Sequence, residues 1–155
     1  MEENLVLQNK FMKAALKQAK IGYLKAEVPI GCVIVLNGKI IARAYNKREQ
    51  LNQAYAHAEM LAIKKACTVL KSWRLNDCDI YVTVEPCPMC AGTIINARMR
   101  SIYFGAINLK GGSCGTRYNI PSDNVLNHTC KIFGGVLEEE CGKLMSTYFK
   151  EKREE

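Results

Sequence analysis

The stretch Asp79–Cys90, with the sequence DIYVTVEPCPMC, decides the fold of this chain. Its first six residues are mostly β-branched, aromatic or aliphatic, which is the composition of a buried strand. The strand would deliver Glu85, Pro86 and Cys87 at its carboxyl end, where open α/β sheets bind their ligands. The stretch therefore predicts a sheet with a functional site beyond one central strand.

The motif His57-Ala58-Glu59 begins thirty residues before Cys87, and its histidine supplies a third metal ligand. His57, Cys87 and Cys90 suit zinc but leave a tetrahedral ion one position short, as in catalytic sites that keep a position for water. Zinc-bound water ionises near neutral pH, so such a site holds a hydroxide nucleophile. Glu59 lies two residues from His57 on a predicted helix and points to another face, which favours a proton carrier over a ligand.

Other interpretations of the same residues exist. A lone Cys-x-x-Cys is also typical of redox or chance pairs. A structural zinc site needs a fourth protein ligand, and the remaining Cys and His residues show no second paired spacing. His57-Ala58-Glu59 followed by Pro86-Cys87-Pro88-Met89-Cys90 matches the signature H-x-E…P-C-x-x-C of zinc-dependent nucleobase deaminases.

Apolar periodicity and turn residues predict an alternation of helices and strands. Helices are predicted around Phe11–Ala19, over Ala58–Leu70, after Cys87 and from Leu137 to Phe149. The helix after Cys87 carries Ile94, Ile95 and Met99, an apolar stripe that fits core packing as well as a subunit interface. Strands are predicted at Ile30–Leu36, Lys39–Ala44, Asp79–Val84, Ser101–Gly105 and near Cys130–Phe133, the first two joined by the hairpin turn Asn37-Gly38. This order implies an α/β fold, a three-layer α/β/α sandwich around a five-stranded mixed sheet.

Length and composition limit the possibilities. A chain of 155 residues with 48% apolar content suits one compact domain over residues 1–155. No apolar run reaches the ~18 residues that span a bilayer, and the acidic start lacks a signal peptide, so we expect a cytoplasmic protein with no membrane partner. The eight cysteines would also fit a disulfide scaffold, but their irregular spacing favours a reduced compartment.

The net charge of +7 is concentrated in the first 110 residues, which carry sixteen basic residues against eight acidic ones. A basic surface favours polyanion partners through release of counterions. By itself this charge does not specify a nucleic acid.

From Phe11 to Phe149 the chain resembles the bacterial tRNA-specific adenosine deaminases, which belong to the cytidine-deaminase-like zinc hydrolases. The zinc motifs carry the resemblance together with Glu27-Val28-Pro29-Ile30-Gly31, Tyr45-Asn46, Phe104-Gly105-Ala106, Lys110-Gly111-Gly112 and Asn127-His128. The resemblance implies a cytidine-deaminase-like fold, one zinc ion per chain and a homodimer formed through the Cys-x-x-Cys helix and neighbouring loops. It also implies hydrolysis of adenosine to inosine at the wobble position of a tRNA anticodon loop.

Substrate-binding residues follow from the same resemblance. Asn46 is expected to hydrogen-bond the base, Ile30 to wall the pocket and the backbone N–H near Ala58 to orient the reacting oxygen. Basic side chains such as Lys110 are expected to hold phosphates. Tyr148 or Phe149 would stack on a flanking base; the alternative, packing in the helix core, is expected more of Phe149 than of Tyr148.

Asn108 departs from the family pattern, which more often has Asp before the Lys-Gly loop. If this loop contacts the substrate backbone, the amide removes both a phosphate repulsion and an acceptor for a 2′-hydroxyl. The departure implies altered discrimination between RNA and DNA, or a neutral change in a surface loop.

Two alternative functions remain at this point. A related zinc deaminase acting on free guanine or cytosine would share the metal chemistry, and the basic first 110 residues do not exclude it. A non-catalytic zinc module that binds RNA is the second alternative, but it has no use for the unligated carboxylate of Glu59.

Overall fold

The computed structural model describes residues 2–155, which form helices and strands in alternation. The helices are α1 (Glu2–Leu24), α2 (Arg48–Leu51), α3 (Ala58–Leu70), α4 (Pro88–Asn96) and α5 (Glu138–Glu154). The strands are β1 (Gly31–Leu36), β2 (Lys39–Tyr45), β3 (Cys78–Val84), β4 (Ser101–Ala106) and β5 (Lys131–Phe133). Within these residues no helix has the length and apolar character needed to cross a membrane.

The five strands form one mixed sheet in the order β2-β1-β3-β4-β5. Strand β1 is antiparallel to both of its neighbours, whereas β3, β4 and β5 run parallel. The β1–β2 hairpin turns at Asn37 and Gly38, whose φ angles of 51° and 76° lie in the left-handed region that a type I′ turn requires. The predicted hairpin and the predicted five-stranded mixed sheet are confirmed.

Helices cover both faces of the sheet, as predicted for a three-layer α/β/α sandwich. Helices α3 and α4 pack on one face, where their side chains join those of β1, β3 and β4 in the larger core cluster. Helices α1 and α5 pack on the other face in a second cluster. Ile94, Ile95 and Met99, which would fit either a core or an interface, are buried within the chain and belong to the larger cluster.

Three predicted helices differ from the structure in their boundaries, and one short helix was not predicted. Helix α1 extends beyond Phe11–Ala19 at both ends, α5 continues past Phe149, and α4 ends before Met99. The short helix α2 was not predicted, because its amino-terminal N–H groups are capped by a distant side chain. The buried carboxylate of Glu27 accepts hydrogen bonds from the backbone N–H groups of Glu49 at 3.0 Å and Gln50 at 2.6 Å.

Helix α1 approaches the sheet so closely that Gly31 has no room for a side chain. A Cβ atom on Gly31 would lie 1.9 Å from the carbonyl oxygen of Ala15 and 2.4 Å from the backbone nitrogen of Ala19. Both obstructing atoms belong to helix backbone, so neither can rotate away. The chain continues from Gly31 back to Ile30 and the site described below.

We therefore expect Gly31→Ala to lower the free energy of unfolding by about 1–3 kcal/mol through overpacking. The matched control is Gly142→Ala in α5, whose added Cβ meets its nearest neighbour at 4.0 Å. Alanine is favoured over glycine inside a helix by about 0.5–1 kcal/mol, so the control should be more stable than the parent. Urea unfolding of the three proteins measures both changes, and equal stabilities would contradict the close approach of α1.

Candidate active site

The three candidate metal ligands meet beyond the carboxyl end of β3. His57 precedes α3 and Cys87 precedes α4, and both helices begin at this end of the sheet. The Nδ1 atom of His57 lies 3.6 Å from the sulfur of Cys87 and 3.5 Å from that of Cys90. A tetrahedral zinc ion with bonds of about 2.3 Å to sulfur and 2.0 Å to nitrogen separates those atoms by roughly 3.5 Å. The donor set and its spacing therefore fit zinc, with Nδ1 as the coordinating nitrogen.

The backbone explains why these side chains are available. His57 and Cys87 are the N-cap residues of α3 and α4, with extended backbone angles, and neither side chain caps its helix. The hydrogen bond with Cys90 is the main cause that lowers the pKa of Cys87 to about 4. That same bond, together with burial, raises the pKa of Cys90. Because zinc binds cysteine as the thiolate, metal binding would displace the proton of Cys90.

Glu59 lies beside the cluster but outside it. Its side chain is buried, and the cluster of mutually close metal donors contains only His57, Cys87 and Cys90. Burial raises the pKa of the Glu59 carboxyl above its ordinary value. A carboxyl whose pKa moves toward neutrality is suited to both accepting and donating a proton.

A cavity of about 210 Å³ opens above Glu59. It is lined by Val28, Ile30, Asn46, Arg48, His57, Ala58, Glu59 and Phe149. Its volume is below the ~300–1,000 Å³ of pockets for drug-sized ligands, so it accommodates a single base rather than a nucleotide chain.

The structure brings three of the predicted substrate-binding residues, Ile30, Asn46 and Ala58, together in this cavity. The Asn46 amide is fixed by two contacts. Its Nδ2 donates to the carbonyl oxygen of Val28 at 3.3 Å, and its Oδ1 accepts from the backbone N–H of Arg48 at 3.2 Å. An amide group with these two contacts retains one further N–H and one further lone pair.

The prediction that Phe149, more than Tyr148, packs in the helix core is wrong. Phe149 is 42% exposed and forms part of the cavity wall. Tyr148 instead packs edge-on against Tyr23 of α1, and the Tyr23 hydroxyl donates a hydrogen bond to the Glu151 carboxylate. These contacts hold α5 in the orientation that directs Phe149 to the cavity.

Asn108 and Lys110 do not line the cavity. The Asn108 side chain is half-buried, and its Oδ1 accepts a hydrogen bond from the backbone N–H of Gly111 at 3.1 Å. The side chain of Asn108, which the sequence suggested for the substrate groove, is therefore engaged in holding the Lys110–Gly111 turn. Lys110 is exposed at the tip of this turn.

Sequence reasoning missed Glu85, which holds the loop beside the cysteines. Its buried carboxylate accepts hydrogen bonds from the backbone N–H groups of Asn108 at 3.3 Å, Cys114 at 3.0 Å and Thr116 at 3.1 Å. The Thr116 hydroxyl also donates to it. An acidic residue directly after an apolar strand was the available signal, but the partners lie 23 to 31 residues away.

Residues 6–106 match the family model described as "Cytidine and deoxycytidylate deaminase zinc-binding region". Together with the His-Cys-Cys cluster, this match confirms the predicted zinc cofactor, one ion per chain. The fold and the site thus define a zinc-dependent deaminase of the cytidine-deaminase-like class.

More specific relatives share most of the length. The chain is 50% identical over 143 residues to the tRNA-specific adenosine deaminase of Bacillus subtilis (strain 168), covering 92% of this chain and 89% of that protein. The corresponding protein of Streptococcus pyogenes serotype M18 is 46% identical over 99% of this chain and 97% of its own length. The chain belongs to the tRNA-specific adenosine deaminase family.

Solved structures agree with this assignment. A structure from a study of A-to-I editing by tRNA:A34 deaminases superimposes with a TM-score of 0.84 at 41% identity, covering 87% of this chain and 98% of that one. The guanine deaminase of Bacillus subtilis is 40% identical but matches only 69% of each chain, with a TM-score of 0.62. The predicted cytidine-deaminase-like fold is confirmed.

We expect Glu85→Ala to lower the free energy of unfolding by about 3 kcal/mol or more, because several buried donors lose their acceptor and each unsatisfied donor costs about 1–3 kcal/mol. The matched control is Glu139→Ala, an exposed acid in the first turn of α5, where loss of a helix-dipole contact costs about 0.3–1 kcal/mol. Urea unfolding measures the difference. Similar losses in both variants would contradict the anchoring role of Glu85.

Proposed function

We propose that the protein hydrolyses the wobble adenosine of a tRNA anticodon to inosine. One observation carries the proposal: a buried carboxyl, Glu59, stands free beside a three-donor zinc site on the wall of a cavity sized for one base. The names of the closely similar relatives support adenosine in tRNA as the substrate. The chain would act as a single zinc-dependent deaminase domain in the cytoplasm, where tRNA is decoded.

His57, Cys87 and Cys90 would hold the zinc ion. When bound, zinc lowers the pKa of a coordinated water toward 7 and so supplies the nucleophile for C6 of adenine. As the water oxygen bonds to C6, Glu59 would take one proton from the water and deliver it to the ring nitrogen. It would then take the second proton from the new hydroxyl on C6 and deliver it to the amine, so that the C6–N bond breaks and ammonia leaves. Its raised pKa suits these transfers, since burial keeps the proton affinity of the carboxyl high.

The remaining walls would orient the base. Asn46 would hydrogen-bond the base edge through the donor and acceptor capacity left after its two internal contacts. Ile30 and Phe149 would contact the flat faces, and the N–H of Ala58 at the start of α3 would orient the reacting oxygen. A base fixed on its edge and both faces reaches the metal in one orientation.

The rest of the RNA must lie outside this small cavity. An anticodon loop is single-stranded, so its bases can be splayed out without opening a duplex. A second cavity of about 400 Å³ adjoins the first and shares Val28, Asn46, Arg48 and Phe149 with it. Its other lining residues include Tyr148 and Lys152, an aromatic and a cationic side chain suited to flanking nucleotides.

Lys110 and Asn108 would affect RNA binding in different ways. Lys110 is exposed and would contact phosphate. Asn108 would act on the substrate through the turn that it holds, in addition to any contact with ribose.

A homodimer is also part of the proposal. The core of the chain buries Ile94, Ile95 and Met99, so these side chains are not available to a second subunit. The subunit contact would therefore use the loops beside α4. Five large apolar side chains are exposed on those loops: Ile107, Leu109, Tyr118, Val125 and Leu126. Such a concentration of exposed apolar side chains is typical of an interaction surface.

The activity is tested with an RNA stem-loop carrying adenosine at the wobble position. We expect stoichiometric conversion to inosine by the wild-type protein, and a rate at least ~100-fold lower for Glu59→Ala because the proton carrier is lost. Metal analysis should still find about one zinc per Glu59→Ala chain and little in His57→Ala, since only the latter removes a ligand.

Two outcomes would contradict this assignment. Turnover of free guanine or cytosine without reaction on the stem-loop would select the related base deaminase. Loss of zinc from Glu59→Ala with retention in His57→Ala would exchange the proposed roles of the two residues.

The dimer is tested by sedimentation. We expect a mass near twice the 17.4 kDa of the chain, and dissociation of Val125→Asp because a charge in an apolar contact is costly to bury. Leu5→Asp on α1 is the matched control, since Leu5 is also exposed but lies on the opposite face of the sheet. A monomeric wild-type protein, or equal dissociation of both variants, would contradict the proposed contact.

A further inference from the structure

A groove of about 680 Å³ runs between the edge strand β2 and helix α3, and we call it the β2–α3 groove. Its apolar lining includes Ile41, Leu61 and Val69, and none of its lining residues is acidic. Three lysines also line it: Lys47, Lys64 and Lys65. The groove is thus a wide, partly apolar surface whose charged lining residues are all cationic.

The charges of these lysines are not compensated by carboxylates. Within residues 2–155 the ion pairs are Arg100–Asp79 and Lys152–Glu155, which involve none of the three lysines. The Lys65 ammonium instead donates to the carbonyl oxygen of Arg43 at 2.6 Å. Burial and the nearby Lys47 lower the pKa of Lys65, so the cations already repel one another. An anion placed among them would relieve that repulsion.

Two chain segments lead from the catalytic cavity to the groove, although the two share no lining residue. Lys47 stands between Asn46 and Arg48, which both line that cavity. Helix α3 begins at Ala58 in the cavity wall, and Lys64 follows six residues later, about 9 Å along the helix axis. At about 3.4 Å of rise per nucleotide of a stacked strand, this distance corresponds to about three nucleotides.

The edge of β2 is poorly suited to a protein strand. The register of β2 shifts opposite Ile34 and Val35, which leaves Ile41 as an unpaired bulge residue. Lys65 occupies the Arg43 carbonyl next to it. A bulge in an edge strand, and a strand carbonyl that already accepts a hydrogen bond from a lysine, both oppose strand addition. A second copy docked through the same groove about a two-fold axis would bring its lysines against these lysines.

We propose that the β2–α3 groove binds the phosphodiester backbone of the RNA that flanks the nucleotide in the catalytic cavity. Charge complementarity and proximity to the cavity select RNA over a protein partner. The inference rests on the proposed action on tRNA, and it extends the substrate contact from the anticodon loop onto the adjoining arm.

The test compares Lys64→Gln/Lys65→Gln with the matched control Lys13→Gln/Lys17→Gln, which removes the same charge from exposed positions of α1 on the opposite face of the sheet. The dissociation constant of an anticodon stem-loop is measured by fluorescence anisotropy over a series of salt concentrations. Each lost phosphate contact reduces the slope of log affinity against log salt by about 0.7–0.9. We expect the slope of the groove variant to fall by about 1.5 and its low-salt affinity to fall by about tenfold, whereas the control keeps the parent slope.

Two further variants test whether the lost charge causes the change in slope. Lys64→Arg/Lys65→Arg should restore the slope, since the charge returns, and Lys64→Gln alone should lower it by about half as much without disturbing the Arg43 contact. Equal slopes in the groove variant and the control would overturn the inference, as would a change in sedimentation of the groove variant, which would identify a protein interface.

The outcome is separable from that of the proposed function. A wild-type protein that binds the stem-loop with the expected slopes but forms no inosine contradicts the activity and leaves the groove intact. Conversely, normal inosine formation with identical slopes in both double variants overturns the groove alone.

Discussion

The meeting of one imidazole nitrogen with two sulfurs at 3.5 Å and 3.6 Å is the constraint on which this structure depends. The donors come from two helices, so α3 and α4 must begin at the same end of the sheet. Strand β3 satisfies this requirement by ending at Val84, three residues before Cys87. A helix start also leaves backbone N–H groups without partners, which favours thiolate and oxygen ligands nearby. The same geometry that gathers the metal ligands thus prepares the surroundings for anionic chemistry.

Irregular loops beside such a site cannot satisfy their own backbone groups, and two buried carboxylates do so for them. Glu27 accepts two N–H groups at the start of α2, and Glu85 accepts three backbone N–H groups from the loop that follows β4. The first loop carries Asn46 and Arg48, and the second flanks the Cys-x-x-Cys helix. Buried backbone donors without partners are rare because each costs about as much as a lost hydrogen bond. Fixed loops in turn give the cavity a defined shape before any substrate arrives.

Local patterns were sufficient to predict the elements that carry the chemistry. The span of α3, the Asn37-Gly38 hairpin and the three zinc ligands follow from periodicity, turn preference and metal-ligand spacing. Features that depend on partners far away in the sequence could not be predicted from local patterns. Helix α2 exists because of Glu27, which lies 22 residues before Glu49. The orientation of Phe149 depends on Tyr23, whose hydroxyl bonds to a residue 128 positions away in the chain.

The position of Phe149 also fixes when the cavity is completed during synthesis. The metal ligands lie between residues 57 and 90, and the opposite wall at Ile30 is made earlier still. Phe149 emerges about 60 residues after Cys90, which at about 5–20 residues per second takes several seconds. A nascent chain therefore has its metal ligands before it has the aromatic wall that confines a base.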